Sequence, residues 1–92
     1  MVWQVTATGK AAKALAALPR KVQERFAFLV REIEEKGPVR GAWPNYGKLG
    51  ENRHHCHLKK GRPTYVAVWE VRNNKIRLVE VTYVGTHEKA PY

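Results

Sequence analysis

The sequence predicts an α+β fold, a helical hairpin packed on a mainly antiparallel sheet in the order β-α-α-β-β-β. Three observations lead there. Apolar residues recur at helical spacing through the first part of the chain. Three strand-like runs rich in β-branched and aromatic residues follow one another in the second part. Turn formers separate those runs closely enough for antiparallel hairpins.

The elements follow in order. "VWQVT" (2–6) alternates and is β-branched, so it reads as a short first strand. Thr8 is placed to cap "GKAAKALAAL", an alanine-rich helix over about 9–18. Pro19, with its fixed φ, suits the first turn of a second helix over 19–36. Val22, Phe26, Leu29, Val30 and Ile33 make one apolar stripe along that helix, and Gly37-Pro38 ends it. "PVRGAWPNYGKLGEN" (38–52) has no clean period and reads as a long loop, where Trp43 and Tyr46 either cap the core or meet a base. Strands are then expected near 53–59, 63–71 and 75–84, with Gly61 and Asn73-Asn74 at the turns. Trp3, Phe26, Phe28 and Trp69 lie in regular elements and are expected in the core.

A chain of 92 residues is one domain, 1–92, with room for a modest core. Its 43% hydrophobic and 27% charged residues exclude a disordered composition. The start "MVWQVTATGK" has no basic stretch followed by an apolar one, so no signal peptide is expected. No apolar run approaches the ~20 residues that span a bilayer. Cys56 is a single cysteine, which excludes an internal disulfide and fits a reducing cytoplasm. Seventeen Lys and Arg against eight Asp and Glu give a net charge of +9. A small domain with that charge is expected to meet a polyanion such as RNA, DNA or an acidic protein.

"NRHHCHLKKGRP" (52–63) carries three of the four histidines, with four Lys or Arg and no acid after Asn52. Strand alternation puts Arg53, His55, His57 and Lys59 on one face and His54, Cys56 and Leu58 on the other. The second set suits a core and the first an open surface. A turn at Lys60-Gly61 pairs His57 with Thr64, and a turn at Asn73-Asn74 pairs Thr64 with Tyr83. His57 and Tyr83 then lie level, about 10 Å apart. His87, beyond a flexible Gly85, would turn back over that edge.

Two imidazoles near a cationic patch point to RNA cleavage by the neighbouring 2′-hydroxyl. A neutral imidazole removes the 2′-OH proton, an imidazolium protonates the departing 5′-oxygen, and Lys or Arg stabilises the growing negative charge. This chemistry calls for no metal and no cofactor. Zinc held by His55, His57 and a third ligand fits less well among so many cations. Cys56 points away from both histidines and reads as a buried thiol. Tyr92, at the end of "VGTHEKAPY", either stacks on an unstacked base or packs against the sheet edge.

"KLGEN", "HCHL", "YVAVWEV" and above all "VGTHEKAPY" resemble the RelE/ParE superfamily of toxins from type II toxin–antitoxin systems, especially its RelE-, YafQ- and HigB-like ribonucleases. The resemblance spans nearly the whole chain. It implies a microbial-ribonuclease-like fold, messenger cleavage in the ribosomal A site and a cognate antitoxin that blocks that face. It makes His87 the general acid and Tyr92 the stacking aromatic, with His57, and secondarily His55, at the catalytic strand positions. Lys59 and Arg62 become phosphate contacts, and Arg53, Lys60 and Lys48 further RNA contacts. Several members carry a cation on the next strand, where this chain has Val66 and Val68. The same fold also serves the gyrase-directed ParE branch, which needs no histidines, and a plain RNA-binding module would need only charge and stacking.

Overall fold

The structure, a computed structural model, describes residues 2–92. It is a five-stranded sheet with two helices on one face, and the α+β expectation holds. The elements are β1 (Gln4–Ala7), α1 (Gly9–Ala16), α2 (Arg20–Lys36), β2 (Gly47–Lys48), β3 (Arg53–Lys59), β4 (Tyr65–Asn73) and β5 (Leu78–Thr86). A short 3₁₀ turn, His87–Lys89, follows β5 directly. The strand order is β1-β5-β4-β3-β2. β1 runs parallel to β5 at one edge, and all other pairings are antiparallel.

Thr8 caps α1 as its sequence position predicts, its hydroxyl accepting from the Ala11 N–H at 3.1 Å. α1 stops at Ala16 rather than 18, because Leu18 precedes Pro19 and is steered away from the helical region. Gln23 then reaches back from α2 and donates to the carbonyls of Leu15, Leu18 and Ala16. That satisfies acceptors that a helix end leaves open. Pro19 stands at the N-cap of α2, one residue before its first turn. Gly37 ends α2 at φ 98°, where an added Cβ would meet the Trp3 indole at 3.1 Å.

The predicted stripe is the core face of α2: Val22, Phe26, Leu29 and Ile33 are buried, with Val30 packed beside them. Each large apolar side chain on it contributes roughly 1.5–3 kcal/mol. They meet Ala67, Trp69, Val79, Val81 and Val84 from the sheet. Phe28 does not join them. It lies off the stripe, 60% exposed, tilted against Trp43. The long loop caps the core: the Trp43 indole N–H donates to Glu32 at 3.0 Å, and Tyr46 packs against Trp69.

The loop also forms the two-residue strand β2, which pairs with His54 and His55 and was not expected from sequence. Here the buried His54 lies flat on the Trp69 ring, interplanar angle 9°, and shares a 2.7 Å hydrogen bond with the Tyr46 hydroxyl. Burial pushes the Tyr46 phenol up, and it pulls His54 below the usual imidazole value with help from Lys48. The pair therefore stays uncharged at neutral pH.

Both hairpin turns differ from the sequence reading. Lys60–Thr64 is a five-residue loop, tied by the Thr64 hydroxyl donating to the Gly61 carbonyl. Residues 74–77 form a four-residue turn, with the Asn73 side chain accepting from the N–H groups of Lys75 and Ile76. Three bulges lie along the ladders without adding to the shift: one between His57 and Lys59 on β3, and two in the β4–β5 pairing, between Val68 and Trp69 and between Val71 and Asn73, which cancel. His57 thus pairs with Val66 and Val66 with Gly85, so His57 stands level with Gly85 and not with Tyr83. β5 also runs through Gly85 to Thr86, so Gly85 is a strand residue rather than a flexible joint.

Tyr46→Phe leaves the buried His54 Nδ1 without its partner. The substitution is expected to lower stability by about 1–3 kcal/mol in urea unfolding, with little change in the m-value.

Candidate active site

The face of the sheet away from the helices is where the histidines meet. β3 alternates as its sequence predicts: His54, Cys56 and Leu58 are buried, and His55 and His57 are half-buried on the opposite face. Their register partners on β4, Val68 and Val66, lie on that same face and are fully buried. The floor of the site is therefore apolar. His87 follows the end of β5, and its N–H donates to the Thr64 carbonyl at 2.8 Å. This closes its ring on His57, with centroids 5.4 Å apart at 69°. Tyr92 returns over His55 at 4.6 Å and meets His87 edge-on at 6.0 Å. Three imidazoles and one phenol form a single cluster. The ring of Tyr92 packs at the sheet yet remains 44% exposed.

The predicted cations divide. Lys60 lies close enough to His57 for its charge to act on that ring, and Arg62 lines a shallow depression with Thr64, His87 and Glu88. Lys59 does not join them. The bulge after His57 places it opposite Tyr65, and its side chain lines a groove against Lys21, Arg25 and Phe28 of α2. Arg53 is on the histidine face but is neutralised by Glu70 at 3.2 Å, in a chain of charges continuing through Arg72 to Glu80. Lys48 pairs with His54, one residue out of phase with the histidine face. The free positive charge at the site is thus concentrated in the β3–β4 loop.

Burial, followed by the charge of His87, holds His55 below the ordinary imidazole value of 6.5. His57 is lowered by burial first, then by His87, Lys60 and His55. Desolvation outranks the cations because the valine floor removes water from one side of each ring. Both rings bury Nδ1 without a hydrogen-bond partner; on His57 this leaves Nε2 as the nitrogen for a substrate, whereas His55 Nε2 lies against Gly47. Burial pushes the Cys56 thiol up to about 12, so it remains a neutral packing group.

Three contributors were not visible as such in the sequence. Gly47 lets His55 lie over β2, since a Cβ there would approach His55 Nε2 to 3.0 Å. In sequence it was one turn former among several in the loop. Thr64 acts through its backbone carbonyl, for which sequence has no code. Tyr83 lies two residues before Gly85 on the same face, and a glycine inside a strand is itself a sign that something approaches closely.

The open sheet face thus gathers three imidazoles, an exposed aromatic ring and the cations of the β3–β4 loop. No protein-family model and no curated protein matches the chain. Solved structures do match it. It is similar to a mutant of the E. coli toxin RelE in the free state, at 22% identity and TM-score 0.73, over 98% of this chain and 88% of that one. An archaeal RelE–RelB complex from Pyrococcus horikoshii matches at 18% identity and TM-score 0.70, over 98% and 100% of the two chains. The intact E. coli RelBE toxin–antitoxin complex matches at 19% and 0.64, over 95% and 99%. At such identities the likeness is one of fold: the chain has the fold of the RelE toxins. No helix among the described residues is long and apolar enough to cross a membrane.

His54, His55 and His57 all bind protons more weakly folded than unfolded. Stability from these three groups is complete above about pH 6.5 and is lost as pH falls from there through their lowered folded values. Urea unfolding at pH 8 and pH 5 is expected to show the lower midpoint at pH 5. Imidazole NMR should show all three titrating below 6.5.

Proposed function

We propose that this protein is the toxin of a toxin–antitoxin pair and an endoribonuclease that cleaves messenger RNA. The observation that carries the reading is the 5.4 Å approach of His57 and His87 beside the cationic β3–β4 loop. His57, kept neutral by its valine floor and by the surrounding positive charge, takes the proton from the 2′-hydroxyl. The 2′-oxygen attacks phosphorus and the P–O5′ bond breaks. His87 gives a proton to the departing 5′-oxygen, leaving a 2′,3′-cyclic phosphate and a 5′-hydroxyl. Lys60 and Arg62 stabilise the charge on the equatorial oxygens. Two imidazoles and a cation supply each group this reaction calls for, with no metal or cofactor. His57 is the base in preference to His55, whose ring lies beneath Tyr92 and over Gly47. Tyr92, with an exposed edge, stacks on an unpaired base.

His87 lines a depression beside the β3–β4 loop and His55 and His57 lie on the sheet face next to it, so a second surface is needed to present the messenger. That surface is the ribosome, whose A site holds messenger single-stranded. The protein accordingly acts in the cytoplasm. A cognate antitoxin covers the histidine face until the toxin is released, a partnership supported by the RelE–RelB complexes whose fold this chain shares.

Brief expression followed by transcript-end mapping tests the reading. The wild type is expected to arrest growth and cut translated messages in frame. His87→Ala and His57→Ala should each lower cleavage by about 10²–10⁴-fold while both variants stay folded. On the acid side the rate should fall below pH 6.5, as His57 gains its proton. Growth arrest with intact messages, unchanged by His87→Ala, would instead place the protein with gyrase-directed or purely RNA-binding members of the fold.

A further inference from the structure

His87 leaves the sheet where a chain would ordinarily begin to fray. Its backbone is nevertheless fixed on both sides of one peptide. The His87 N–H donates to the Thr64 carbonyl at 2.8 Å, and the Thr86 carbonyl accepts from the Tyr83 hydroxyl at 2.7 Å. These are the two polar ends of the Thr86–His87 peptide unit. Tyr83 stands on the open face level with Val68, and Gly85 follows level with Val66. A Cβ at Gly85 would fall 2.8 Å from the Tyr83 oxygen and 3.1 Å from its Cζ. The phenol therefore lies across Gly85, and only glycine leaves it room to reach Thr86. Tyr83 is outside the hydrophobic cluster between sheet and helices.

We propose that Tyr83 is a positioning residue that fixes the Thr86–His87 peptide and thereby sets the His87 imidazole against His57. Gly85 is its necessary companion. The proposal rests on the acid–base reading of His57 and His87 for its catalytic consequence, but the positioning itself is a property of the folded chain. Tyr83→Phe removes one oxygen and keeps the ring over Gly85. Gly85→Ala drives a methyl into that oxygen. The two substitutions act on the same contact and are expected to be strongly non-additive.

The test combines imidazole NMR titration with messenger cleavage in a translation extract, on wild type, Tyr83→Phe, Gly85→Ala and the double variant. Tyr83→Phe should leave the His54 resonances and the unfolding midpoint nearly unchanged while altering the titration of His87 and its coupling to His57. Its cleavage rate at saturating substrate should fall about tenfold and that of Gly85→Ala about 10²-fold, the scale of a 1 Å misplacement, with half-saturation within about twofold. In the Tyr83→Phe background, Gly85→Ala should cost much less than it does alone. Identical His87 titration in wild type and Tyr83→Phe would overturn the proposal. So would a Gly85→Ala cost that is the same in both backgrounds. If the titrations shift as expected but the wild type never cuts RNA, the positioning role stands and the ribonuclease reading fails. If the wild type cuts RNA and Tyr83→Phe cuts equally well, the reading stands and the positioning role fails.

Discussion

The two-residue period of β3, held in register by β4, is the constraint on which the rest of the molecule depends. β4 is the central strand, and Val66, Ala67, Val68 and Trp69 are fully buried, covered on both faces. Against such a strand β3 has one workable register, because a slip of one residue would turn His55 and His57 into the core and expose Cys56 and Leu58. The same alternation gives the histidine strand two roles. His54 closes the core with Tyr46 and Trp69, while His55 and His57, beside it in sequence, face the opposite side.

The valines opposite those rings shape the chemistry as much as the histidines do. Burial is the first cause of the lowered affinity of His55 and His57 for protons, ahead of every neighbouring charge. Val66 and Val68 supply the apolar floor that produces it. The RelE-like pattern that the sequence resembles often has a cation on that strand. Here the apolar floor keeps His57 neutral, and positive charge is provided instead by Lys60 and Arg62 in the adjoining loop. Glu70 and Glu80 tie up Arg53 and Arg72 at the other end of the face. A net charge of +9 is thus less informative about the site than the few cations left unpaired near His57.

One bulge and one turn length decide which residues share the site. The extra residue between His57 and Lys59 turns Lys59 toward α2, although simple alternation would leave it beside His57. The four-residue turn at 74–77 moves the β5 register until Gly85 stands level with His57, and the two irregularities in that pairing cancel. That shift shortens the path from the sheet to His87 to two residues. Together with the anchors at Thr64 and Tyr83, it brings the imidazole to its partner without a long free tail.

Local rules were enough to read the helices, the cap at Thr8, the core stripe of α2 and the two faces of β3 from the sequence, because each follows from spacing along a single element. The candidate histidines and Tyr92 were legible for the same reason: few residue types perform proton transfer or base stacking, and here they cluster on one strand and one tail. Sequence alone did not determine the turn lengths, the bulges, the brief strand β2, the exposure of Phe28, or which cations remain free. Those features depend on pairing between strands distant in sequence and on which acids end up beside which bases. Tertiary structure therefore decided that His57 meets His87, that Lys59 turns toward α2 and Arg53 pairs with Glu70, and that the Tyr83 hydroxyl reaches the Thr86 carbonyl. A side chain's neighbours across a sheet are set by register, and register is a property of the whole fold.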